Sequence, residues 1–164
     1  MVMKYRKLTV DELEPLKSEF ISFLSANGID VALWSKYKIT SLDIVDNLVK
    51  QFSELVFEKI CSKIDYLSFE SNNLKAAYHV KNDHTTMVIR EQKNDLTPTP
   101  EGDGIEKSYL QETPDLYIYK LDRYHEEDKY KEVYNLLETG CIKSNGAKYK
   151  EMILQWAATK AASN

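Results

Sequence analysis

Apolar residues recur every three or four positions at both ends of this chain and give way in its middle to short β-branched and aromatic runs, so the period itself divides the sequence. Leu13, Leu16, Phe20 and Phe23 or Leu24 line one face of a first helix. Asp11 with Glu14, or Thr9 with Glu12, has the spacing of its start, and Pro15 sits near the first turn, where a missing N–H costs least. Asn27 and Gly28 supply the stop, with Ile29 placed to fold back on the helix. "DVALWSKYK", from Asp30, reads as a short helical piece. Thr40 or Ser41 then caps the longest helix, expected to run to about Ile64 with Val45, Leu48, Phe52, Leu55, Val56 and Ile60 as a broad buried stripe.

"DYLSFES", "NLKAAYHV" and "HTTMVIRE", separated by "NN" and "KND", predict an antiparallel meander, and "DLYIYKL" a fourth strand. The segment 92–115 holds three of the four prolines and two of the five glycines and is expected to be a flexible, irregular loop. "HEEDKYKEVYNLLETG" is helical by the spacing of Tyr130, Val133, Tyr134 and Leu137, with acids in its first turn and Gly140 as its stop. A last helix, "AKYKEMILQWAATKAA", places Tyr149, Ile153 and Trp156 on one face. The expectation is a single domain over 1–164 of class α+β: N-terminal helices including one long central helix, a small antiparallel sheet of about four strands, and two C-terminal helices.

Composition narrows the classes. The 164 residues, 43% hydrophobic and 29% charged, suffice for a core that needs neither disulfide nor metal. No apolar run approaches the roughly 20 residues that span a bilayer, and no apolar stretch follows the basic residues near the start, so a cytoplasmic protein is expected. Nine acids stand against Lys107, Lys120 and Arg123 between Glu101 and Asp128, whereas six lysines stand against three acids from Lys129 onward. With a net charge of −4 and no basic run, a nucleic-acid partner is not expected. Cys61 and Cys141 are too few and too far apart for a disulfide framework, and both are expected to be reduced.

Four groups of residues could carry chemistry. Cys141 follows a helix stop and precedes Lys143 and a Ser-Asn-Gly turn; a structural residue that plugs a gap together with Ile142 outweighs a reactive thiol. Cys61 lies on the apolar side of the long helix. Asp122, His125, Glu126 and Asp128 crowd together, but acids at a helix start answer to the helix dipole without any metal. His79 and His84 flank a turn and could face each other across a hairpin, with no third ligand evident. Of eleven tyrosines, Tyr117, Tyr119, Tyr124, Tyr130 and Tyr134 fall within eighteen residues. Tyr117 and Tyr119 share one face of their strand, with Ile118 on the other, either as a partly exposed aromatic platform or as the lid of a core.

"MKYRKLTVDELEPLKSEFISFLSANGI", "LVFEKICSKIDYLSF" and "LLETGCIKSNGAKYKEM" resemble a small family of bacterial proteins of unknown function, of Bacteroidota type. The resemblance implies a bacterial, stand-alone domain and assigns no catalytic residue. Glycine-rich phosphate loops, GxSxG, HExxH and EF-hand patterns are missing from the sequence. The leading expectation is therefore a non-enzymatic protein-binding or adaptor domain that needs no cofactor and uses Tyr117, Tyr119 and Tyr124 with the 92–115 loop. The alternative is a small enzyme with a metal-dependent site assembled from His79, His84, His125 and nearby carboxylates.

Overall fold

The computed structural model describes residues 2–92 and 116–162 together with the backbone of 106–109. The fold is α+β, and the chain forms two compact units, Met1–Ile60 and Cys61–Asn164.

In the first unit, helix α1 (Val10–Leu13) passes through a 3-10 turn (Glu14–Leu16) into α2 (Lys17–Ala26), and α3 (Val31–Thr40) and α4 (Leu42–Cys61) follow. The expected single first helix is broken at Pro15, which has no N–H to donate and whose ring crowds the carbonyl four residues back. Thr9 and Glu12 form the capping box: the Glu12 N–H donates to Thr9 Oγ1 at 3.3 Å, and the Thr9 N–H donates to Glu12 Oε2 at 2.9 Å. Arg6 grips both oxygens of the same carboxylate at 2.7 Å. That guanidinium, with the Thr9 N–H, holds Glu12 down at about 2, against an ordinary value of 4.5.

The long helix is the organiser of this unit. Leu48, Phe52 and Phe57 are buried, but Leu55 and Ile60 of the expected stripe are exposed, so the apolar face is narrower than its sequence suggests. Phe52 packs against Phe20 and Phe23 at ring distances of 5.0 and 5.5 Å, and Trp34 of α3 meets Phe20 edge-on at 5.3 Å. The N-terminal segment runs antiparallel along α4. The Tyr5 N–H donates to Glu54 at 3.0 Å, the Tyr5 hydroxyl to Glu58, the Leu8 N–H to Ser53 Oγ at 2.9 Å, and Lys7 pairs with Asp46 at 2.7 Å. Burial and the Glu58 carboxylate both push the Tyr5 phenol up, so it remains a donor.

The second unit is a six-stranded antiparallel sheet in the order β4-β5-β3-β2-β1-β6, built from β1 (Tyr66–Glu70), β2 (Leu74–Val80), β3 (His84–Gln92), β4 (Glu106–Tyr109), β5 (Leu116–Tyr124) and β6 (Ile142–Ser144). The four expected strands are its centre; the two additional ones are its edges. β4 lies inside the segment read as loop, of which 93–105 and 110–115 lie outside the described residues. Three-residue β6, too short for any period to declare itself, pairs with Tyr66, Leu67 and Ser68 and leaves Ile142 66% exposed, so Ile142 plugs no gap.

Alternation along the strands sends Ala77, Val88 and Ile118 to one face, where Tyr149 and Met152 of α6 (Ala147–Ala162) complete a core and Ile153 and Trp156 flank it. α5 (Lys129–Glu138) buries Val133, Tyr134 and Leu136 and packs on β2. It ends in a Schellman turn: the Cys141 N–H reaches Leu136 O at 3.0 Å and the Gly140 N–H reaches Leu137 O at 3.1 Å, with Gly140 at φ +97°. Gly146, at φ +87°, starts α6, and a Cβ there would sit 2.9 Å from the ring of Tyr66.

Three outcomes follow from these contacts. Gly140→Ala should destabilise by about 1 kcal/mol through its positive φ alone, since its nearest neighbour would be at an ordinary 3.9 Å. Gly146→Ala should cost roughly 2–3 kcal/mol because the clash with Tyr66 adds to the same strain; urea melts giving equal losses would refute the role assigned to that ring. For Glu12, a folded value below the ordinary one means the pairing stabilises above about pH 4.5 and is lost as pH falls toward 2. Glu12→Gln should therefore lower stability by roughly 0.5 kcal/mol at pH 7, exposure and screening included, and by nothing at pH 2.

Candidate functional site

A cleft of about 500 Å³ opens beside α5 in the second unit. Its apolar lining is Tyr78 of β2, Met87 of β3 and Leu136 of α5; Tyr78 and Met87 are register partners, and Leu121 continues the row. Arg123, Glu126, Glu127, Asp128, Lys131 and Glu132 supply its charges, and Tyr124, Asn135 and Thr139 complete it. Arg123 and Glu132 form an ion pair, and Lys131 lies 5.0 Å over the Tyr134 ring. Asp128 is the N-cap of α5, accepting the Lys131 N–H at 2.9 Å. Burial, and behind it the neighbouring Cys141 sulfur, push the Tyr78 phenol up to about 12, so it stays protonated across the physiological range.

The three tyrosines proposed for binding separate. Tyr117 and Tyr119 share a face with rings 6.2 Å apart, but they are only 8% and 2% exposed, and the Tyr119 hydroxyl donates to the buried Glu91 carboxylate at 2.5 Å. Tyr124, the last residue of β5, is 72% exposed and borders the cleft. The first two are buried and the third is surface.

The three histidines separate as well. His79 lies opposite Thr86, not His84, and stacks on Tyr66 at 4.4 Å beside Tyr149; burial and then Lys81 pull its pKa down, which keeps it neutral. His84 contacts Asp83 at 2.6 Å through Nδ1 and Lys81 at 3.3 Å through Nε2. His125 Nε2 lies 2.8 Å from Thr85 Oγ1, and its Nδ1 is buried with no hydrogen-bond partner. A hydroxyl so close to an imidazole is the geometry of a nucleophile and its base, but Thr85 is 0% exposed. Among the described residues no group of three or more His, Cys, Asp or Glu side chains is placed to hold a metal ion.

The crowded acids of "DRYHEED" also divide: Asp122 accepts from Thr86 at 2.6 Å and pairs with Lys120, Asp128 caps the helix, and Glu126 and Glu127 are exposed ahead of it. The helix starts at Lys129, later than the acids suggest, because Asp128 takes the capping position. Cleft residues Tyr78, Met87, Arg123, Lys131 and Glu132 carried no sequence signal as a group. Strand alternation alone could have found Tyr78 and Met87, once the register was known.

Cys61 and Cys141 form no disulfide and are 0% and 6% exposed. A thiol reagent should label the folded protein slowly and the denatured protein fast. Cys141→Ala should cost about 1 kcal/mol through lost packing. Rapid stoichiometric labelling of native protein would show an accessible, reactive sulfur instead.

No helix among the described residues is long and apolar enough to cross a membrane. No curated protein and no solved structure matches the chain. The model of a family of unknown function, DUF6495, matches residues 3–156, and the chain belongs to that family.

Proposed function

We propose that this protein is a non-enzymatic binding or adaptor domain that receives a segment of another protein in the cleft beside α5. The observation that carries the reading is the cleft's composition: an apolar centre of Tyr78, Met87 and Leu136 surrounded by six charged residues of both signs. An apolar centre inside a charged rim is the pattern of a protein interface, whereas small-molecule sites are lined mostly by apolar groups with few polar ones. Tyr124, exposed at the border, adds the aromatic residue type that such interfaces favour. The resemblance to Bacteroidota-type proteins supports a bacterial, cytoplasmic setting.

Asn135 is exposed and lines the cleft, so Asn135→Trp should fill it without disturbing the core. In affinity capture from bacterial lysate, a partner retained by the wild-type protein should be lost by Asn135→Trp, weakened by Tyr124→Ala and kept by Leu154→Ala, a change at an exposed α6 position. A partner captured equally by all four proteins, or none captured at all, would overturn the reading.

A further inference from the structure

We infer that the segment this cleft receives is basic, an extended stretch of a partner protein that places a lysine or arginine side chain over Met87 and Leu136. The inference rests on the binding reading above and adds the chemistry of the occupant. Four carboxylates and two cations surround the cleft. Both cations are engaged within the protein, Arg123 by Glu132 and Lys131 by the Tyr134 ring. Two carboxylates are engaged as well, Glu132 by Arg123 and Asp128 by the backbone at the head of α5. Glu126 and Glu127 are different. Both are exposed, and among the described residues no hydrogen bond or ion pair engages either one.

With four carboxylates against two cations, and only Arg123 and Glu132 paired with each other, the charge of the cleft is negative, and it stands beside an apolar floor. An acidic segment would meet Glu126 and Glu127 with its own charge, while Arg123 is already paired with Glu132. A purely apolar segment would fill the floor and leave the rim unanswered. A lysine or arginine does both, because its aliphatic stem covers apolar surface while its head stays at the wet rim. The protonated Tyr78 phenol adds no competing charge at the floor.

The test uses the full chain with methyl-labelled methionine and three eight-residue peptides, identical except for two central positions that are arginine, norleucine or glutamate. The arginine peptide should shift the Met87 methyl resonance saturably, and its binding should weaken with added salt. Glu126→Gln combined with Glu127→Gln should weaken that binding about fivefold, the upper range for exposed pairs, while Glu151→Gln on α6 should leave it unchanged. The glutamate peptide should not bind. Equal binding of the norleucine and arginine peptides would overturn the inference while the cleft remained a docking site. No Met87 shift with any peptide would also overturn it, and the capture experiment with Asn135→Trp would then decide separately whether the cleft binds a protein at all.

Discussion

Ala77 lies beside Val88 in the middle of the sheet, and Met152 and Tyr149 of α6 close over them. Everything else in the second unit depends on this packing, because strand side chains alternate and a slip of one residue would turn every one of them over. With Ala77, Val88 and Ile118 committed to α6, their neighbours Tyr78, Met87 and Tyr119 must face the other way. Tyr66, His79 and Tyr149 extend the α6 side as an aromatic cluster, and the ring of Tyr66 leaves room for nothing larger than Gly146 at the head of that helix. The floor of the cleft is thus the reverse side of the core.

The first unit uses a different means to the same end. Its N-terminal segment has no strand partner, so its backbone donors would lie unpaired against a helix. Glu54 and Ser53 accept them, and Ser53, 0% exposed in the middle of α4, also donates to Val49 O at 2.7 Å. A serine inside an apolar helical face ordinarily weakens the helix by competing for its backbone. Here it serves two chain segments, and its burial is matched by hydrogen bonds.

Local patterns made the elements legible. The Thr9–Glu12 box, the Asp30 cap, the Gly140 stop and the four central strands all lie where short-range chemistry puts them. What depended on distant partners was not legible: β6 is three residues long and exists because β1 offers an edge, and Ser53 is explained only by Leu8, 45 residues away. The tyrosines show the limit most clearly. Composition marked Tyr117, Tyr119 and Tyr124 together, and alternation paired the first two correctly, but only the tertiary fold distinguishes 2% exposure from 72%. The histidines are the same case, for three imidazoles near two turns in sequence go to a stacked ring, the Asp83 carboxylate and a buried hydroxyl.

Helix length explains why a cleft exists at all. α6, with sixteen residues, runs about 24 Å, whereas α5, with ten, runs about 15 Å, roughly half the length of a nine-residue strand such as β3 or β5. A helix that short cannot cover the sheet beneath it, and its ends are fixed on both sides: Asp128 caps the start, and Gly140 with the Schellman bonds to Leu136 and Leu137 enforces the stop. Lengthening α5 at its start would carry Glu126 and Glu127 into the helix and draw their carboxylates toward its own N–H groups. The Asp128 cap prevents that and leaves those two charges in solvent, so the residue that limits the helix also determines which charges the cleft presents.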